Sequence, residues 1–283
     1  MNSKLDIRPS PIAGQWYPGD SQHLAESIDG YLDAAHPEPV KGKILGVVVP
    51  HAGHRYSGPV AGYAFAALRG MRPELVAVIS PMHYNYPQPL LTSAHEAYLT
   101  PLGEVPVDRA AVEQVDAALH ASLGSGLYPV RNDPEHSLEI ELPFLQRALS
   151  GPFSLLPIMV RDVRSVVTRR LGEALAQALR GRDALLVAST DLSHFYSQET
   201  ANMYDEEMLR RIESFDPQSV LDAEEEGKGY ACGRGALAAV MWAARELGAD
   251  QVKVLRHATS GDVTGDFSQV VGYGAAVITQ SAV

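Results

Sequence analysis

The chain has 283 residues, of which 46% are hydrophobic, and a formal net charge of -11 at pH 7. This length and apolar content can build one large α/β core, and the negative charge argues against nucleic acid or an anionic membrane as the main partner, because both attract clustered Lys and Arg. The single cysteine, Cys232, excludes an internal disulfide, and no apolar run is long enough for a signal peptide or for a membrane span of roughly 20 residues, so we expect a cytoplasmic protein.

Aliphatic runs alternate with amphipathic stretches along the chain. Strands are predicted, in chain order, at 43–50, 74–81, 153–160, 184–190, 251–258 and 270–279. Helices, with apolar residues at i, i+3, i+4 and i+7, are predicted at 20–35, 58–70, 108–120, 133–149, 163–181, 202–215 and 232–248. Residues 86–108 are compatible with either a β-hairpin or an extended excursion. The alternation predicts one α/β domain over 1–283, with a central, mostly parallel or mixed sheet and helices on both faces.

Polar residues follow three of the predicted strands. His51 comes directly after the first, His83 lies just beyond the second, and Asp191 and His194 follow the fourth. The carboxyl ends of neighbouring parallel strands form the ligand crevice of such sheets, so we expect these side chains to converge. Cys232 opens the last predicted helix, where free N–H groups and the helix dipole favour a thiolate. Two imidazoles and a thiolate suit a metal, although each alone is also typical of a hydrogen-bonded loop histidine or a small buried cysteine.

Further candidates surround this set. His54 follows the first histidine by three residues without the glutamate of the zinc-protease helix, so we expect it in the pocket wall or behind the ligands. The predicted helix at 133–149 carries Glu135, His136 and Glu139. Two interpretations of this helix stay open: a solvated acidic face near a helix start, or His136 and one glutamate at the pocket rim, orienting ligands or binding substrate.

Seven segments together resemble the Memo family, whose microbial members are called AmmeMemoRadiSam system protein B. They are AGQWYPGD, VPHAGHRYSGPVAGYAF, SPMHYNY, EHSLEIELPFLQ, ASTDLSHF, ACGRGAL and TSGDVTGDFSQVVGYGA, and they occur in family order over nearly the whole chain. The resemblance implies a fold related to the class III extradiol dioxygenases, non-haem iron(II) enzymes that open catechol rings.

The resemblance also implies roles for individual residues. His51, His83 and Cys232 match the metal ligands of the Memo site, and His194 matches the acid/base histidine of the dioxygenases, with Asp191 beside it to hold its tautomer. The dioxygenases use two histidines and a carboxylate, whereas this chain offers a softer thiolate that also accommodates copper(I) or zinc. The relation to the dioxygenases implies iron(II) as the expected cofactor, and the thiolate makes copper or zinc the alternatives.

The predicted substrate-binding set is Trp16, Tyr17, His54, His136 and Glu139. Trp16 and Tyr17 match family residues at the mouth of the pocket that are linked with peptide binding in the animal protein, although a core tryptophan is the alternative for Trp16. The expected occupant of the crevice is a small molecule or a peptide. The family name further implies a functional link to a radical-SAM enzyme and an AMMECR-type protein.

Three functions are compatible with these residues. The preferred one is a redox enzyme of dioxygenase type with iron(II) or copper. The second is a hydrolase in which zinc at the same site activates water. The third is a module that binds a peptide or a metal without turnover, as the part of the animal relatives in cell-motility signalling suggests.

Overall fold

The computed structural model describes residues 6–281. Its strands are β1 (Ile7–Arg8), β2 (Lys43–Val49), β3 (Leu75–Pro81), β4 (Leu90–Ser93), β5 (Ala97–Thr100), β6 (Gly103–Pro106), β7 (Tyr128–Val130), β8 (Ser154–Val160), β9 (Ala184–Ser189), β10 (His194–Tyr196), β11 (Gln251–Thr259) and β12 (Val270–Gln280). Its helices are α1 (Ser21–Ala34), α2 (His54–Ala66), α3 (Arg109–Leu123), α4 (Leu142–Ala148), α5 (Ser165–Leu179), α6 (Gln198–Glu213), α7 (Pro217–Glu225), α8 (Arg234–Glu246) and α9 (Gly261–Thr264). A 3₁₀ helix, Glu139–Glu141, precedes α4.

The main sheet has the strand order β10-β12-β2-β9-β3-β8-β4-β7, with β11 paired to β12. Its centre, β2, β9, β3 and β8, is parallel. Towards the flanks, β12 runs antiparallel to β2, and β4 runs antiparallel to β8. A smaller sheet joins β1, β5 and β6. The predicted α/β fold with a mixed sheet flanked by helices is therefore confirmed.

The central strands are aliphatic because both of their faces are covered. Every residue of β3 is buried, and β2 and β9 are buried from their middle to their carboxyl ends. Parallel strands of this kind need helices on both sides of the sheet. In one group of helices, α3 contacts α5, α5 contacts α8, and α8 contacts α7. Helix α8 also lies against β3 and β9. A second group consists of α1, α2 and α4, of which α2 lies against β2 and β12.

The six strands predicted from aliphatic runs are confirmed, with bounds that differ by one residue or less at every end. Residues 86–108 contain β4 and then a true hairpin, in which β5 and β6 pair antiparallel. Helix α7 was not predicted, although Asp216 caps its first turn and Pro217 opens it. None of the helices within residues 6–281 is long and apolar enough to cross a membrane.

The helix predicted at 133–149 is wrong in its first half. Residues 133–138 form a loop, and regular α-helix begins only at Leu142. The reason is electrostatic, because Glu135 and Glu139 are 1% and 0% exposed and have partners other than water. The interpretation of this segment as a solvated acidic face is therefore wrong. An acidic group that is buried must be paired or hydrogen-bonded, and these contacts draw the backbone away from a helix.

Candidate metal centre

The candidate ligands converge because β9 lies between β2 and β3 in the parallel part of the sheet. His51, Asp191 and His83 each come two residues after the end of one of these strands. The ring centroids of His51 and His83 are 5.2 Å apart. Side chains separated by many residues in sequence thus meet at the carboxyl edge of the sheet.

Three imidazoles lie at the centre of the site. His51, His83 and His136 each offer a ring nitrogen, and these nitrogens lie within 4.8 Å of one another, so the group could hold a metal ion. The rings of His83 and His136 are stacked, with centroids 4.9 Å apart and planes inclined by 12°. His136 comes from the loop at 133–138 and approaches the two strand-end histidines from outside the sheet.

The Nδ1 atom of each imidazole has a partner in the protein. His51 Nδ1 lies 2.9 Å from Ser189 Oγ, and the Nδ1 atoms of His83 and His136 lie 3.0 and 3.2 Å from the same Glu135 oxygen. When Nδ1 donates its proton to such an acceptor, the lone pair of a neutral ring resides on Nε2. For His51 and His83, whose Nδ1 contacts are hydrogen bonds, this arrangement leaves Nε2 as the atom that could bind a metal.

Glu135 lies beside two of these rings, since it is hydrogen-bonded to His83 Nδ1 and lies 3.2 Å from His136 Nδ1. It also accepts the backbone N–H groups of His83, His136 and Ser137 at 2.6, 2.8 and 2.9 Å. Burial alone would raise its pKa, but the hydrogen bond and charge of His83, followed by the charge of His136, hold the pKa of Glu135 well below its usual value. An ionised carboxylate thus fixes the orientation of both imidazoles.

Two of the three imidazoles, those of His51 and His136, are kept neutral. Burial lowers the pKa of His51 well below its usual value, and the neighbouring His136 and His83 add to this effect. Burial also lowers the pKa of His136 to about 4. A neutral imidazole is the form that binds a metal ion, so the site is prepared for a cation at neutral pH.

Cys232 lies beside this cluster, directly before the N-terminal cap of α8. Its Sγ atom is 3.1 Å from His51 Nε2 and accepts the backbone N–H of Asp191 at 3.3 Å. A Cβ atom on Gly233 would come within 2.3 Å of the Ser189 carbonyl oxygen, so only glycine allows α8 to begin this close to β9. The absence of a side chain at Gly233 is therefore what brings the sulfur to the strand ends.

The expectation that the helix start favours a thiolate is wrong for the protein without a bound cation. Burial, with a further contribution from Asp191, raises the pKa of the Cys232 thiol. These effects outweigh the N–H groups that point at the sulfur. A coordinated cation deprotonates a thiol outright, so the thiolate and the metal would arrive together.

The two predicted proton carriers occupy different surroundings. Asp191 accepts the backbone N–H of His51 at 2.7 Å, and burial raises its pKa to about 7. His194 packs against Tyr230 with centroids 5.3 Å apart, and burial lowers its pKa. The expected hydrogen bond between Asp191 and His194 is not among those of residues 6–281, in which His194 Nδ1 is buried without a partner.

Two residues behind His51, Ser189 and Glu141, were not predicted from the sequence. Ser189 Oγ, which contacts His51 Nδ1, donates to the Ser137 carbonyl at 2.6 Å or to Glu141 Oε1 at 2.9 Å. Burial raises the pKa of Glu141 well above its usual value. Ser189 could have been found, because it ends β9 two residues before Asp191 and alternate strand residues share a face. Nothing in the sequence pattern marks Glu141.

A buried ionic network supports the loop that carries Glu135 and His136. Arg8, 1% exposed, donates to Asp133 Oδ1 at 2.9 Å and to the carbonyl oxygens of Asp133 and Glu135 at 3.0 and 2.8 Å. Arg8 also pairs with Glu139, which accepts a hydrogen bond of 2.6 Å from the Tyr17 hydroxyl. The network therefore ties the N-terminal segment to the loop that carries His136.

Three predicted substrate-binding residues have partners inside the protein. Tyr17 and Glu139 bind each other, and His54 Nε2 lies 3.0 Å from the Ile140 carbonyl oxygen with its ring against Phe144. Their contact with a substrate stays a prediction.

Trp16 connects the centre to a cavity. Its ring lies on His136 with centroids 3.9 Å apart, and the same side chain lines a cavity of about 660 Å³. Ala52, next to His51, and Phe195, next to His194, also line this cavity. A ligand in the cavity would thus lie beside the histidine cluster, in a volume typical of small-molecule sites.

Known proteins resemble this chain over almost its whole length. The family model described as Memo-like protein matches residues 8–277. A MEMO1 family protein of Nitrosopumilus maritimus is 36% identical over 273 residues, which cover 95% of this chain and 98% of that protein. Similar proteins of Thermotoga maritima and Methanopyrus kandleri are 35% and 32% identical, with coverage of 96% and 95% of this chain and 99% and 98% of theirs.

Proposed function

The chain belongs to the Memo-like family, and we propose that it holds one redox-active metal ion, iron(II) or else copper, for dioxygenase-like oxidation of a substrate in the adjacent cavity. The observation that carries the proposal is the convergence of three imidazoles, two of which form hydrogen bonds through Nδ1 while the third has a carboxylate 3.2 Å from its Nδ1. Such outer contacts orient metal-binding histidines in general.

The proposed ligands are His51, His83 and Cys232, as the family resemblance implies, together with His136, which the sequence assigned to the substrate. The place of His136 in the histidine cluster supports this addition. Imidazole and thiolate donors suit iron, copper and zinc, and they do not suit calcium or magnesium.

A bound iron or copper ion would supply the electron transfer that allows oxygen to react. The chain's own residues would bind the substrate and move protons. We propose that His194 exchanges a proton at its buried, unpartnered Nδ1 atom. Asp191, with a pKa of about 7, can hold or release a proton beside His51 at neutral pH. Trp16 separates the ligand His136 from the cavity and orients what lies there.

A second candidate function is zinc-dependent hydrolysis. The three-histidine cluster favours it, because three histidines and one open position are a common catalytic zinc site. Such an enzyme would activate water and would be indifferent to oxygen.

The first experiment is elemental analysis of protein purified without oxygen. We expect about one iron or copper per chain in the wild type and a large loss in the His51→Ala, His136→Ala and Cys232→Ala variants. The control is His120→Ala, which removes an exposed histidine of α3. Metal content that is equal in all variants would contradict the proposed ligands.

The second experiment separates the candidate functions. A His194→Ala variant should keep its metal and lose metal-dependent oxygen consumption on catechol-like compounds. Zinc in the wild type and no oxygen consumption would favour the hydrolase. A wild type without metal would overturn the proposal and leave the peptide-binding module.

Two further proposals concern the location of the protein and its partners. We propose that the protein works in the cytoplasm, whose reducing conditions suit the free thiol of Cys232. We also propose the functional link to a radical-SAM enzyme and an AMMECR-type protein, which co-purification from the source cells would test.

A further inference from the structure

The cavity beside the metal centre is walled by aromatic side chains from four separate parts of the fold. Trp16 comes from the N-terminal segment, Tyr56 from α2, Phe195 from β10 and Tyr273 from β12. Aromatic faces carry negative charge density, and several of them around one volume form the cage that recognises organic cations.

The charged residue that lines the cavity is acidic. Among the described residues that line it, Asp266 is the only one with an ionisable acidic or basic side chain other than tyrosine. The side chain and backbone N–H of Ser268 donate to Asp266 and hold its pKa below the usual value, so it is ionised at neutral pH. Arg55 lies 5.8 Å from the Tyr56 ring, yet it does not line this cavity. A carboxylate or phosphate would therefore find no cationic partner here.

Phe195 adopts an unfavourable backbone conformation in the cavity wall. It is 69% exposed, and its backbone has a φ of 62°, a left-handed conformation that bulky residues rarely adopt. Neither burial nor backbone preference accounts for an aromatic ring at this position. Strain of this kind concentrates at ligand sites.

We propose that the cavity binds an organic cation, an alkylated ammonium group that sits among Trp16, Tyr56, Phe195 and Tyr273 with Asp266 as its counter-charge. The claim that organic cations are the substrates of the enzyme rests on the proposed function. The claim that the cavity binds organic cations rests only on the aromatic residues and the charge of the cavity wall.

The test compares choline with its neutral carbon isostere, in which a quaternary carbon replaces the nitrogen. Isothermal titration calorimetry is done on metal-free and on metal-loaded full-length protein. Choline should bind at least about tenfold more tightly than the isostere, since the two have the same shape and differ only in charge. Benzoate, an aromatic anion, should not compete with choline.

Two variants locate the binding. Asp266→Asn should weaken choline binding by about fivefold or more and leave binding of the isostere within about twofold, whereas Phe195→Ala should weaken choline binding by about fivefold or more and weaken binding of the isostere less. Tyr128→Ala removes an exposed aromatic ring outside the cavity and should bind choline like the wild type. Circular dichroism and thermal unfolding confirm that each variant is folded.

Equal binding of choline and its isostere, displacement of choline by benzoate, or no binding of choline would each overturn the inference. Equal effects of Phe195→Ala and Tyr128→Ala would overturn it as well. These outcomes can be distinguished from a failure of the proposed metal centre. A wild type without metal that still binds choline overturns the proposed function alone, and metal-loaded protein that ignores choline overturns the inference alone.

Discussion

Replacing Arg8 by methionine should strongly destabilise the protein, because the guanidinium is the buried counter-charge of Asp133 and Glu139. Both contacts are ion pairs between side chains that are 1% exposed or less. Removing one partner of a buried ion pair costs about 3–5 kcal/mol, since the remaining charges stay buried without compensation. For a chain of this size the melting temperature should fall by about 10 °C.

The loss should depend on pH. Burial raises the pKa of Glu139 above 4.5 even though Arg8 opposes the shift, and removing Arg8 should raise it further. An acid whose pKa is higher in the folded state than in the unfolded state makes the protein less stable as pH rises from the unfolded value towards the folded one. The deficit of Arg8→Met should therefore be larger at about pH 8 than at about pH 5.

Urea unfolding at both pH values measures this difference. The matched control is Arg69→Met, which breaks an exposed pair with Asp33 and should change stability little. An Arg8→Met protein as stable as this control, or a deficit that grows towards low pH, would refute the reasoning.

Four further outcomes are expected. Ser189→Ala removes the partner of His51 Nδ1 and should weaken metal binding by about 10- to 100-fold in a chelator competition, with the fold retained. Cys232→Ala should lose metal without unfolding, and unchanged metal content would exclude the sulfur as a ligand. Gly233→Ala should lower the free energy of unfolding by about 1–3 kcal/mol and weaken metal binding, because the new Cβ pushes α8 away from β9. In metal-free protein, Asp191 has a pKa raised by burial from 3.8 to about 7, so stability falls across that window by up to about 4 kcal/mol. Asp191→Asn should flatten this pH dependence, and an unchanged profile would show that Asp191 titrates normally.

The strands and the positions of their carboxyl ends could be predicted from one simple rule of sheet structure. A strand that is covered on both faces must be aliphatic until it ends, so the first polar residues, such as His51 and Asp191, mark the edge of the sheet. The parallel order of β2, β9 and β3 then brings these edges together.

The loop at 133–138 could not be predicted from the same pattern. The leucines of segment 133–149 recur at helical spacing, and Leu138, Leu142 and Leu145 are all buried. What prevents a helix is a contact with Arg8, which lies more than a hundred residues earlier in the sequence. No local pattern records such a partner, and for this reason His136 was expected in the pocket and not among the ligands.

The position of Cys232 was predicted, whereas its acidity was not. Proximity to a helix start is visible in the sequence and favours the thiolate. The extent of burial around the sulfur depends on how closely α8 approaches β9, which only the packed structure shows.

The order in which the chain supplies its donor atoms has a consequence for biosynthesis. A growing polypeptide presents His51 and His83 early, His136 later and Cys232 last among these residues. The strand that ends near His51 also lacks its neighbour β12 until residues 270–280 have been made. An ion that needs the full set of donors therefore cannot be held until Cys232 has been made, and the sheet beside His51 is completed by β12 later still.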